Sequence, residues 1–322
     1  MVNTVLGPVP AEKLGFTLTH EHITLSTIGW EVDTTVSKDR RPIVKKALEQ
    51  VKPLKALGIS TIVDCSTPDL GRDVDTLKAV SEASGINIIA TSGFYMELRG
   101  IPLHFRRRSL DQVAEHFVNE IEKGIAGTDV KAGIIKCATG HGKVTELEEM
   151  VFRAAARAAK ATGVPITTHT TEGTMGKEQL DIFQAEGMDL SHVIIGHCCE
   201  SADVMYHRSL MDRGANIGFD RISIENRIPD AVRATSLIGL IGAGYADRLV
   251  LSHDIVCCMK DGHRIMLPPH ELEQFLGRNL DILCKKFIPM LKKGGVSDAS
   301  VRQMTTSNVA RIFSGKSGRK RR

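Results

Sequence analysis

Six side chains, far apart along the chain, are of the kinds that hold divalent cations or modify them: His20, His22, Lys136, His169, His197 and Asp254. Thr19-His20-Glu21-His22 ends an apolar run containing Phe16 and Leu18. Successive side chains of a β-strand alternate faces, so a strand here aims His20 and His22 the same way. Ile134-Ile135-Lys136, Thr167-Thr168-His169, Ile195-Gly196-His197 and Leu251-Ser252-His253-Asp254 repeat the theme: an apolar strand-like run, then a polar, metal-capable residue. Each has an ordinary alternative. A solitary strand histidine usually serves the core or surface, a strand lysine snorkels outward, and an aspartate can cap the next segment. It is their recurrence at the same end of successive strands that points to a shared metal site.

Four imidazoles and a carboxylate suit a borderline divalent ion, zinc first, with cobalt, iron or manganese also compatible. Five protein ligands are many for one tetrahedral ion and few for two. Two ions about 3.5–4 Å apart make a hydrolytic pair and need a bridge. Lys136 is the unassigned residue. A buried lysine amine that has lost its proton can react with carbon dioxide to form an anionic carbamate, whose two oxygens could each reach one ion.

The elements that must position these residues alternate regularly. Strands are expected at 16–22, 61–65, 87–95, 132–139, 165–170, 192–198, 215–221 and 249–255. Helices are expected at 38–57, 74–83, 110–123, 145–162, 177–186, 203–213 and 230–241, then at 271–291 (kinked at Pro289) and 298–313. Thr145 and Glu148 have the spacing of a capping box. Loops are expected at 23–36, after the first strand, and at 256–269, after the eighth. Eight strand–helix units with continuous apolar strands predict a parallel sheet closed by right-handed crossovers: an α/β fold, a (β/α)8 TIM barrel forming a single domain over 1–322. An open doubly wound sheet is the alternative, but no glycine-rich dinucleotide turn follows the first strand. In a barrel the C-terminal strand ends share one mouth, so the six residues would converge.

Composition narrows the classes. A hydrophobic share of 42% fits a globular core, and 4% aromatics leave few stacking platforms for single-stranded nucleic acid. Much of the net charge of +4 comes from the basic stretch at 315–322, expected to be a disordered tail. Seven cysteines without framework spacing read as reduced, structural thiols in a cytoplasmic protein. No run approaches membrane-spanning length. The expected partner is a small molecule, with neither nucleic acid nor membrane.

The order His20-x-His22, Lys136, His169, His197, Asp254 resembles the phosphotriesterase family of the amidohydrolase superfamily, and within it the phosphotriesterase-like lactonases. The surrounding residues agree: Gly7-Pro8, Gly133-Ile134-Ile135-Lys136-Cys137-Ala138-Thr139, Ile195-Gly196-His197, Gly218-Phe219-Asp220-Arg221 and Ser252-His253-Asp254. The resemblance runs to about residue 313. It implies that His20, His22 and Asp254 hold the more buried metal, His169 and His197 the more exposed one, and N6-carboxylated Lys136 bridges both. It also implies a homodimer and three catalytic residues: Asp254 takes the proton of a metal-activated hydroxide, Tyr95 leans over the metals, and Arg221 is the lactonase-type arginine.

Two departures stand out. Glu200 occupies a position where relatives commonly have aspartate, and 257–263 lacks the aromatic that often packs an acyl chain, leaving Ile265, Met266 and Leu267 as apolar substitutes. The short connection at 222–249 and the long one after strand eight resemble the lactonases more than the dedicated triesterases, and that resemblance implies hydrolysis of a lactone, such as an N-acyl-homoserine lactone, with weaker organophosphate triesterase activity. A dedicated phosphotriesterase is the second reading. An amide-hydrolysing relative would carry glutamate in place of Lys136, and a barrel using zinc only for stability would be inactive when loaded.

Overall fold

The computed structural model describes residues 1–260 and 277–315. The chain opens with an antiparallel hairpin, β1 (Val2–Thr4) and β2 (Gly7–Val9), which the sequence reading did not anticipate. It lies across the N-terminal end of the barrel, where Val5 N–H donates to Ile88 O and Asn3 donates to Ile121 O and Ala132 O.

The barrel strands are β3 (Phe16–Leu25), β4 (Ile59–Asp64), β5 (Asn87–Gly93), β6 (Ile134–Ala138), β7 (Ile166–His169), β8 (Val193–Ile195), β9 (Asn216–Phe219) and β10 (Leu249–Leu251). All pair in parallel with their neighbours in chain order. Valine and isoleucine dominate these strands, whose two faces are covered by helices outside and side chains inside, as buried parallel strands require.

Two expectations are corrected. The first strand runs on to Leu25, beyond the expected loop start at Ile23. The eighth is interrupted: β10 ends at Leu251, and β11 (Val256–Met259), within the expected loop, pairs in parallel with β3. Between them Asp254 takes a left-handed φ of 56°. The backbone still bonds across the gap, from Asp254 N to His20 O at 3.0 Å and from His22 N to Ile255 O at 2.8 Å, closing the ring.

Helices α1 (Arg40–Val51), α2 (Val74–Ser84), α4 (Leu110–Glu122), α5 (Glu146–Thr162), α6 (Gly176–Ala185), α7 (Val204–Met211) and α8 (Asp230–Gly242) match the expected outer ring, with a further short helix, α3 (Leu103–Arg106). The capping box of Thr145 and Glu148 is formed, and buried alanines of α5 let it sit close to the strands. Pro289 lies just after a π-turn at Leu283–Phe287, and the helix continues through Ile288–Lys293. The final helix is likewise broken by a π-turn, Gln303–Ser307. The start of the helix expected at 271, the acyl-loop substitutes Ile265, Met266 and Leu267, and the basic stretch beyond Gly315 lie outside the described residues. All seven cysteines are free. Among the described residues no helix is long and apolar enough to cross a membrane.

Candidate metal centre

The six residues meet at the C-terminal mouth, each at most 5% exposed. Two glycines make the crowding possible. A Cβ at Gly93, where φ is 100°, would fall 2.0 Å from Lys136 O, and one at Gly196 would fall 2.1 Å from Thr168 O. Lys136 points inward from the middle of β6, its Nζ 2.7 Å from His20 Nε2 and 5.6 Å from the Tyr95 ring centre. Ring centres of His20 and His197 are 4.6 Å apart, and those of His169 and His197 4.5 Å.

The neighbours of each ring fix where its lone pair points. Ser66 spends its hydroxyl hydrogen on Thr24 O (2.9 Å), so His22 Nδ1–H donates to Ser66 Oγ at 2.8 Å. That leaves His22 Nε2 as an acceptor 3.3 Å from the acceptor Asp254 Oδ1. Asp220 does the same for His197 and also lies beside His20. It accepts from His197 Nδ1 at 3.0 Å and from His197 N at 2.7 Å, while its other oxygen lies 3.3 Å from His20 Nδ1. The His20 contact is electrostatic, not aligned as a hydrogen bond. Facing lone pairs repel unless a proton or cation lies between them, so this donor set fits divalent cations. Two groups among the described residues have metal-compatible spacing: His20, His22 and Asp254, and His20, His197 and Asp220. His169 is oriented differently, with Nε2 3.2 Å from Thr171 Oγ and 3.3 Å from the Tyr95 hydroxyl.

Burial sets the charge states. It lowers the pKa of His22 and lowers that of His169 further. For His197, burial and then Arg221 bring the value down to about 4, so these rings are neutral at pH 7. Burial disfavours the charged form of Asp254, but the Arg221 guanidinium outweighs it and holds the carboxyl well below its usual range. The Arg221 guanidinium donates to Asp254 Oδ2 at 2.9 Å and to Glu200 Oε2 at 2.7 Å. Glu200 therefore reaches Asp254 through Arg221. Burial raises the Tyr95 hydroxyl, keeping it protonated.

Sequence reasoning missed Asp220, although it stands at the end of strand seven next to the selected Arg221. It also missed Glu21, which accepts from Ser252 Oγ, His253 N, His253 Nδ1 and Ile255 N at 2.6–2.9 Å and so fixes the loop carrying Asp254. Above the six residues opens a cavity of about 810 Å³ whose walls include Leu25, Leu70, Met96, Leu98 and Ile224.

The sequence profile of the phosphotriesterase family matches residues 1–313. A phosphotriesterase homology protein of Mycobacterium tuberculosis is 37% identical over 98% of each chain, and an aryldialkylphosphatase of Saccharolobus solfataricus is 32% identical over 95% of this chain and 97% of its own. The crystal structure of a variant of a Deinococcus radiodurans PTE-like lactonase superposes with a TM-score of 0.91, 36% identity and coverage of 97% of this chain and 100% of that one.

Proposed function

Because the chain belongs to the phosphotriesterase family, a family of metal-dependent hydrolases, we propose that it opens lactone rings at a pair of divalent cations, with slower hydrolysis of organophosphate triesters. The observation that carries this reading is the set of buried lone pairs of His20, His22, His197 and Asp254 converging around Lys136 beneath an apolar-walled cavity. In the proposed arrangement His20, His22 and Asp254 hold the inner cation, His169 and His197 the outer, and carboxylated Lys136 spans both; zinc fits the donor set, and cobalt, iron or manganese would also be accepted. Bound there, the cations would acidify a shared water and polarise the oxygen of the scissile carbonyl or phosphoryl group.

The chain's own residues supply the rest. Asp254, ionised and held by Arg221, is the acceptor for the nucleophile's proton. Arg221 keeps that carboxylate oriented and is itself held by buried Glu200. Tyr95, protonated and 3.3 Å from His169, can donate a hydrogen bond to the oxygen of the opening ring. Leu25, Leu70, Met96 and Ile224 exclude water and cover an apolar substituent. A cytoplasmic homodimer completes the proposal.

The test is a comparison of kcat/KM for an N-acyl-homoserine lactone and for paraoxon with metal-replete enzyme. The lactone should be favoured by at least ~100-fold, about 2.7 kcal/mol in transition-state binding. A preference for paraoxon would make the protein a dedicated phosphotriesterase.

A further inference from the structure

The cavity above the metal centre holds five cationic side chains: Arg99, Lys136, Arg221, Arg227 and Arg278. Lys136 belongs to the centre itself. Arg221 is paired with Glu200 and Asp254, and Arg227 with Glu200 and Glu172. Arg278 donates to the carbonyls of His253 and Asp254. Arg99 is different. It is half-buried in the cavity wall, and among the described residues its guanidinium has no carboxylate, carbonyl or hydroxyl partner.

The backbone beneath Arg99 is held firmly. The turn Glu97–Arg99 is closed by Gly100 with φ of 100°, Glu97 N–H donates to Glu148 at 3.2 Å, and Arg106 donates to Ile101 O at 2.8 Å just beyond. A fixed arm carrying a planar fork with no such partner among the described residues is pre-organised for an anion, because little ordering remains to be done on binding. The same wall of the cavity carries buried Met96 and Leu70, whose apolar surface strengthens a charge pair formed inside it. Across the mouth, the loop after β9 (four strands round the ring from β5) contributes Glu225 and Asn226 beside the paired Arg221 and Arg227.

Resting on the lactonase reading, we propose that Arg99 is a specificity residue and that the preferred lactone carries a carboxylate outside the ring that opens. One planar guanidinium matches one planar carboxylate.

The experiment compares two γ-lactones that differ at the γ-carbon, one bearing a carboxylate and the other a methyl group, on wild-type enzyme and on Arg99→Met, Arg99→Lys and Arg99→Glu. The expected result is a KM ratio favouring the carboxylated ring that falls tenfold or more in Arg99→Met. Arg99→Lys should recover part of it, Arg99→Glu should lower it further, and kcat should follow neither change. Equal effects on both lactones would overturn the proposal while leaving lactone hydrolysis standing. If neither ring is opened, binding decides, while the lactonase reading is judged separately on the N-acyl-homoserine lactone. Calorimetry then compares 2-hydroxyglutarate with 4-hydroxypentanoate, the open forms of the two lactones. A tenfold preference for the diacid that disappears in Arg99→Met supports anion recognition, and its persistence there refutes it.

Discussion

The interior of the barrel has two ends built from the same strands. At the N-terminal end Val63, Ile89, Ile134, Ile194 and Val250 pack with Leu14, Val309, Ile312 and Phe313 into an apolar plug. Two residues further along β6 the inward side chain is Lys136 in place of Ile134, and two residues past Val250 it is Ser252. A shift of one pleat turns packing into chemistry. The difference teaches that these strands carry two separate demands: volume at the base, where nothing titrates, and fixed lone pairs at the mouth, where nearly everything does.

Substitutions at the two ends should therefore fail differently. The largest loss is expected from Asp254→Ala or Lys136→Ala: kcat/KM should fall at least ~10³-fold, about 4 kcal/mol, with fewer than two tightly bound metals per chain by elemental analysis. Two metals and full activity in Lys136→Ala would refute the carbamate bridge. At the base, Ile89→Ala should cost about 2–5 kcal/mol of folding stability, seen as a lower denaturation midpoint, while each folded, metal-loaded molecule keeps its kcat. If activity dropped as steeply as stability, the two ends would not be separable.

Smaller effects sharpen the contrast. Asp220→Asn keeps the shape but removes the charge that faces both His20 and His197, so metal affinity should weaken roughly 10–100-fold in a chelator competition. An unchanged affinity would make Asp220 merely structural. The mildest expected effect is one of pH on the metal-free protein. The folded-state pKa values of His22, His169 and His197 lie below the ordinary 6.5, so their contribution is intact above that pH. It is lost as the pH falls toward about 4, the value for His197, because the unfolded chain takes up protons first. Denaturant midpoints measured across that window should decline, and a flat profile would contradict it.

Most of the mouth was legible because strand periodicity and histidine chemistry both leave marks in a single chain. His20 and His22 are two apart, and each later residue follows an apolar run. What could not be read depends on neighbours across strands. Asp220 is one carboxylate among many until the structure sets it behind two rings from other strands. Glu21 looks like the spacer between two histidines, yet it is fully buried and takes four donors. The break at Asp254 escaped notice because apolar residues stand on both sides of Ser252-His253-Asp254, and the left-handed turn that divides β10 from β11 leaves no mark in the sequence. The hairpin at residues 2–9 is too short and too proline-containing to announce itself.

That seam also bears on how the protein is made. Glu21 and His253 are 232 residues apart, and joining them completes both the ring of strands and the pocket of His20, His22 and Asp254. On the proposed assignment, a ribosome would finish nearly the whole polypeptide before the inner ion had a seat. Metal loading would then be a late event in biogenesis, and chains truncated before residue 249 should emerge unable to retain that ion.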